Sequence, residues 1–228
     1  VYVVKYSVLK LGELRFKIID EKNINGKKYF RAVCYIDSYP SIPFVDLHQI
    51  YETKMNENYY SSYFKGIVKG DKFNTFTEYY FYYDENKIQV LKGNLDNGEI
   101  WTDTSGVVNK EYQDGLSLFY FARMNIGNNN TVILPCMVNE KEAKTKINFY
   151  SDRRKISIDA VDYPVETFYL DGSTDFISIF GLTGKFEGWF TNDDAAIPVK
   201  AKMKVIIGNI EVELKKWKRE GWNPPRYN

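Results

Sequence analysis

Residues 185–216 read KFEGWFT-NDD-AAIPVKAKMKVII-GN-IEVELKK, and this stretch decides the fold class. Ile197, Val199, Ala201, Met203, Val205 and Ile207 take every second position, with Lys200, Lys202 and Lys204 between them. Successive side chains of a strand point to opposite faces, so the pattern predicts a long strand with one apolar and one wet face. Gly208-Asn209 follows, a pair suited to the positive φ angles of a tight hairpin. Ile210, Val212 and Leu214 then alternate with Glu211, Glu213 and Lys215 on the return strand. The lysines and glutamates face each other across the solvated side, each pair contributing roughly 0.2–1 kcal/mol. A helix would bury the lysines. The unit is antiparallel sheet.

The rest of the chain agrees. Aromatic residues make up 17% of the 228, with Tyr 19 and Phe 15, a bias that suits pleated, half-buried surfaces. Turn signals recur along the chain. Asn25-Gly26 is a strong hairpin pair leading into KKYFRAVCYID, Pro40 and Pro43 interrupt regular structure, and Asp84-Glu85-Asn86 precedes KIQVLKG. About a dozen strands result, without a linker, charge block or fixed-period repeat. The expectation is one domain, 1–228, mainly β: a single antiparallel meander forming a barrel or half-barrel-like sheet.

One helix is expected, at about 114–125. Asp114 is placed to cap GLSLFYFARMN and Gly127 to end it, and the segment is apolar nearly all round, as a helix buried on the sheet would be. A strand reading of LSLFYFA is the alternative. Arg123 on this segment needs a carboxylate or solvent, and Asp193 or Asp194 is the expected partner, locking helix to sheet. In the NDD turn, Asn192 and Asp193 are expected to bond their own backbone.

Composition excludes several classes. Lys plus Arg is 31 against Asp plus Glu 30, so the net charge of +1 creates no global field for nucleic acid. No apolar run approaches the roughly 18 residues of a transmembrane helix. His48 is the single histidine, and with Cys34 and Cys136 far apart it forms no spaced metal-ligand cluster. The cysteines lie in apolar strands and are expected as buried, unpaired thiols, a disulfide being the alternative. No phosphate loop, cofactor motif or nucleophile-base arrangement is read. Glu78, Asp84, Asp103 and Asp114 are the acids available to a carboxylate hydrolase.

The strongest candidate binding surface is the strand FTEYYFYYDE. Tyr79, Phe81 and Tyr83 face one way, Tyr80 and Tyr82 the other, and Tyr59, Tyr60, Tyr63 and Phe64 on the preceding segment are expected to extend the aromatic surface, Tyr63 being the candidate ligand contact among them. Such a strand is buried twice or lines something, either an apolar cavity or a stacking platform for sugars. At the C-terminus, Trp217 and Trp222 with Pro224-Pro225 mark residues 217–228 as a tail packed on the sheet.

GWFTNDDAAIPVKAKMKVIIGNIEVEL is similar to the closing hairpin of an uncharacterised family of exported bacterial proteins, domain of unknown function 3108. Trp189, Asp193, Asp194, Pro198, Val199, Lys200 and Gly208 fit the family pattern, and DGLSLFYFAR resembles its other landmark at Asp114, Leu116, Ser117, Tyr120 and Arg123. Ala195-Ala196 stands where members commonly carry a basic residue, which weakens anion binding by that turn. The resemblance implies a barrel-like antiparallel fold and an exported, periplasmic or envelope location, with a signal peptide expected ahead of this stretch. It supplies no activity. The expected function is a non-catalytic envelope protein carrying a lipid-like ligand in a cupped sheet, with a glycan-binding or scaffold module as the alternative.

Overall fold

The computed structural model describes residues 1–40, 42, 46–177, 183–205 and 208–228. Their strands are β1 (Tyr2–Tyr6), β2 (Leu9–Ile24), β3 (Lys27–Ser38), β4 (His48–Met55), β5 (Ser61–Val68), β6 (Thr75–Tyr82), β7 (Lys87–Asn94) and β8 (Ile100–Val107). A single helix, α1 (Ser117–Asn125), precedes β9 (Thr131–Val138), β10 (Lys141–Phe149), β11 (Arg154–Ile156) and β12 (Val165–Ile177). β13 (Thr183–Thr191), β14 (Pro198–Lys204) and β15 (Asn209–Leu214) complete the chain. The 15 strands form one antiparallel sheet in the order β8-β7-β6-β5-β4-β3-β2-β1-β15-β14-β13-β12-β10-β9, with β11 beside β12. Neighbours in space are mostly neighbours in sequence, as a meander requires. The departures are β10, which pairs with β12 past β11, and β1, which pairs with the final strand through Val4↔Val212.

Packing divides the described chain into two compact units. One comprises residues 1–12, 122–134 and 143–228; the other comprises 13–121 and 135–142. We call them the closing unit and the central unit.

In the central unit, Asn25 and Gly26 adopt φ of 53° and 80°, the two positive values that a tight hairpin between β2 and β3 demands. The strands alternate. Ala32, Cys34, Tyr51, Phe64, Tyr79, Phe81, Ile88 and Val90 are buried, each large side chain contributing roughly 1.5–3 kcal/mol. Cys34 and Cys136 are buried in this core and not joined in a disulfide, and burial pushes Cys34 up to about 12, leaving it inert as a nucleophile.

In the closing unit, Leu170, Phe190, Val199, Val212 and Leu214 make the apolar face. β14 is shorter than the alternation suggests, ending at Lys204; Ile207 lies outside the described residues, as does Pro43. Asn209 already belongs to β15, paired with Lys204, so it is strand rather than turn. Gly208, with φ of 81°, is the turn residue before it. Pro198 opens β14 at a register shift between Trp189 and Phe190, a position where its missing N–H disrupts no regular ladder.

Candidate functional site

The wet face of the closing unit carries an ordered grid of side chains, set by strand register. Asn148 pairs with Asp171 and Lys146 with Ser173 across β10 and β12. Tyr169 pairs with Trp189, Asp171 with Glu187 and Ser173 with Lys185 across β12 and β13. Glu187 meets Lys202, and Trp189 meets Lys200, across β13 and β14. Because Phe186 pairs with Met203, Lys185 stands beside Lys204. Three rows therefore cross the strands: an aromatic row, an acid and amide row, and a lysine row.

In the aromatic row, Tyr150 and Tyr169 lie 5.5 Å apart between ring centres, and Tyr169 and Trp189 5.2 Å. The Arg154 guanidinium caps Tyr169 at 4.0 Å and the Lys202 ammonium stands 5.8 Å from the Trp189 indole. Tyr169 is buried beneath its neighbours, whereas Tyr150 and Trp189 are half-exposed. The hydroxyl of Tyr169 donates to Glu187 Oε1 at 2.7 Å and that of Tyr150 to Asp171 Oδ2 at 3.0 Å. Asn148 Nδ2 donates to the other oxygen of Asp171. Burial and the hydrogen bond to Glu187 hold the Tyr169 phenol well above its usual range. A groove of about 620 Å³ opens over the acid and lysine rows, lined by Tyr169, Asp171, Glu187, Lys146, Lys185 and Lys202 among others.

Below Trp189, the ion pairs expected between β14 and β15 are present. Lys200 Nζ reaches Glu211 at 2.8 Å and Glu213 at 2.9 Å, and Lys5 reaches Glu213 at 3.0 Å.

The landmark residues of the NDD turn have separate duties. Asp193 Oδ1 accepts from Thr191 Oγ1 at 2.6 Å and from the Ala196 backbone N–H at 3.1 Å, the local bonding expected of it. Asn192 differs from expectation: its Nδ2 donates to Glu166 Oε1 and its N–H to the Glu166 carbonyl, tying the turn to β12. Asp194 is exposed. Arg123 pairs with neither aspartate and forms no ion pair among the described residues. Its Nε and Nη2 both donate to the Ala195 carbonyl, at 3.1 and 2.6 Å. A backbone carbonyl replaces the expected carboxylate because the buried Ala195 oxygen faces the helix end and needs a donor.

In the central unit, the structure brings Tyr79, Phe81 and Tyr83 together. Phe81 lies 6.5 Å from Tyr79 and 5.6 Å from Tyr83. Tyr63 is not with them. The register Tyr63↔Tyr80 and Phe64↔Tyr79 puts Tyr63 on the opposite face, so Phe64 takes the place expected for it. Tyr79 and Phe81 are 3% and 6% exposed and meet edge to face, with Tyr79 stacked on Phe64, Phe64 on Tyr51, and Phe81 on Tyr112. On the other face, Tyr63 and Tyr80 donate to Glu78 at 3.1 and 2.8 Å. Burial opposes ionisation of Glu78, but Lys65 and these hydroxyls hold it below the usual carboxylate range.

Asp114 precedes α1 and is 1% exposed. Its Oδ1 accepts from the Leu116 and Ser117 N–H groups at 2.6 and 2.8 Å, and its Oδ2 from Thr53 Oγ1 at 2.6 Å. The helix itself begins at Ser117, later than the expected 114, because Asp114 stands outside it as the cap. His48 opens β4 between Asp37 at 2.9 Å and Asp46 at 3.2 Å, a half-buried polar arrangement. Among the described residues no group of three or more His, Cys, Asp and Glu is placed to hold a metal ion, and no helix is long and apolar enough to cross a membrane.

The sequence reading missed the aromatic row of the closing unit. The signal was present: Tyr169 alternates with Asp171 and Ser173, and Trp189 with Glu187 and Lys185, so each aromatic ring shares a face with polar side chains.

A single antiparallel sheet with aromatic residues on its wet face defines a mainly β protein of barrel-like type. A similar fold occurs in a solved structure described as a beta-barrel-like protein of domain of unknown function DUF1849 from Brucella abortus, with TM-score 0.52 and 10% identity over 93% of this chain and 92% of that one. The chain belongs to the family described as Protein of unknown function (DUF3108), whose sequence pattern matches residues 1–215. Comparison with curated proteins finds no match.

Proposed function

We propose that this protein is a non-catalytic, exported binder of saccharides that holds its ligand on the wet face of the closing unit. The observation that carries this reading is the row Tyr150–Tyr169–Trp189, whose Tyr169 lines a groove together with Asp171, Glu187 and Asn148. A sugar ring offers a C–H face that lies on an aromatic ring and hydroxyls that pair with carboxylates and amides at its edge. Trp189, half-exposed, supplies the stacking surface.

The alternative of an apolar ligand against Tyr79, Phe81 and Tyr83 has less support, because those rings already cover one another and Tyr112. A hydrolytic role is weaker still. Asp171 and Glu187 lie side by side on one sheet face, each tied to a tyrosine hydroxyl, instead of flanking a bond from two sides. What supports export is the resemblance of the two landmark segments to a family of exported proteins.

Affinity electrophoresis against a panel of neutral and charged polysaccharides tests the proposal. The wild-type chain is expected to be retarded by at least one polymer, and Trp189→Ala to weaken that binding about tenfold, equivalent to roughly 1.4 kcal/mol. Retardation by none, or an unaffected Trp189→Ala, overturns it.

A further inference from the structure

We infer that the ligand of this face is an acidic saccharide, whose anionic groups are taken by the lysine row while a neighbouring sugar ring lies on Trp189. The inference rests on the saccharide reading above and adds the charge class of the ligand.

Lys146, Lys185 and Lys204 are exposed, and with Lys202 one row below they border a single groove. None of the four forms an ion pair among the described residues, whereas Lys5 and Lys200 on the same face are each held by two carboxylates. By register Lys185 and Lys204 stand beside each other, and their other partners are neutral: Ser173 faces Lys146 and Lys185, and Asn209 faces Lys204. The acids beside them by register are bound elsewhere: Asp171 to Asn148 and Tyr150, Glu187 to Tyr169, and Glu211, which faces Lys202, to Lys200. Lys185 and Lys204, side by side on adjacent strands, repel each other. An anion lying along the row relieves that repulsion and supplies the missing counter-charge. Along β13, Lys185 lies four residues from Trp189, about 13 Å at the strand rise. A ligand touching both must span more than one sugar ring, with its charge displaced from the stacked one.

The test uses the full chain with dextran, dextran sulfate and polygalacturonate, and with inorganic sulfate alone at matched ionic strength. The variants are Trp189→Ala, the triple Lys146→Gln/Lys185→Gln/Lys204→Gln, and the corresponding triple Lys→Arg. Surface substitutions of this kind change stability little, and a melting curve checks that each variant folds. The expected result is binding of a charged polymer over dextran. The Gln triple weakens it roughly tenfold at low salt and flattens its salt dependence, the Arg triple restores it, and Trp189→Ala weakens it too. Equal binding of dextran, lost in Trp189→Ala and unaffected by the Gln triple, overturns the acidic-ligand inference and leaves the saccharide reading standing. Charged-polymer binding that ignores Trp189→Ala, or displacement by inorganic sulfate alone at matched ionic strength, overturns both in favour of a simple anion site.

Discussion

The indole Nε1 of Trp222 donates to Asp193 Oδ2 at 2.7 Å, joining the C-terminal tail to the turn between β13 and β14. Asp193 uses its other oxygen to order that turn, so one carboxylate serves both. Further contacts fix the tail. Trp217 Nε1 donates to the Trp222 carbonyl at 2.9 Å, Tyr163 donates to the Pro224 carbonyl at 2.8 Å, and Arg226 stacks over Tyr163 at 4.5 Å.

Replacing Trp222 with Phe keeps a smaller aromatic ring against Trp217 and removes the N–H together with part of the indole. A hydrogen bond to a charged acceptor contributes about 1.5–3 kcal/mol, so Trp222→Phe should lower stability by roughly that amount, with an unchanged denaturant slope. Urea unfolding followed by circular dichroism measures it. An unshifted midpoint means the tail rests on the sheet without holding the turn.

Arg123 is the second tie to the same turn. Arg123→Leu leaves the buried Ala195 carbonyl without its two donors, a loss of about 1–3 kcal/mol. Arg123→Lys should recover only part of this, since a single ammonium does not reproduce the paired Nε and Nη2 contacts. Thermal melting of both variants decides the matter, and identical curves for wild type and Arg123→Leu would remove the latch.

The sheet was legible because alternation is a local property. Lys200 and Lys202 between Val199, Ala201 and Met203 state their faces without reference to any other strand, and the facing glutamates of β15 follow from one hairpin. What lay beyond reach was anything fixed by register between strands. Parity within β5 and β6 separates Tyr63 from Phe64 and Tyr79 from Tyr80, but only the pairing Tyr63↔Tyr80 says which of them share a face. The row Tyr150–Tyr169–Trp189 needs three strands in register before it exists at all. The partner of Arg123 was illegible for another reason: a backbone carbonyl has no residue type, so no side chain advertises it.

Asp114 should be the most sensitive polar position in the central unit. Burial pushes its carboxyl above the usual range, against the pull of Thr53, Ser61 and the Leu116 and Ser117 amides. Asp114→Ala orphans those donors and the first turn of α1, costing roughly 2–4 kcal/mol. Asp114→Asn retains an oxygen for the two amides and buries no charge, so it should cost less than half as much. Equal losses in the two variants, read from denaturant midpoints, would show that the charge itself is needed there.

The Glu213 cluster contributes stability to the closing unit that is lost at both extremes of pH. Burial alone would raise the Glu213 pKa, but the Asp159 N–H, Lys200 and Lys5 outweigh it and hold the carboxyl below its ordinary 4.5. A folded-state value below the unfolded one stabilises at pH above 4.5, and that contribution disappears as pH falls through the folded value. The lysines act at the other limit. Burial would lower both, yet Asp159 and Glu213 raise Lys5, and Glu211 and Glu213 raise Lys200, above 10.5. Their contribution is complete below 10.5 and is lost as pH rises through the folded values. Glu213→Gln should therefore cost about 3 kcal/mol at neutral pH, where it leaves two largely buried lysines short of a partner. The difference from wild type should shrink below pH 4.5 and again above 10.5. Urea unfolding of both proteins across that range checks it, and a difference that stays constant from acid to alkali would show that Glu213 acts through packing alone.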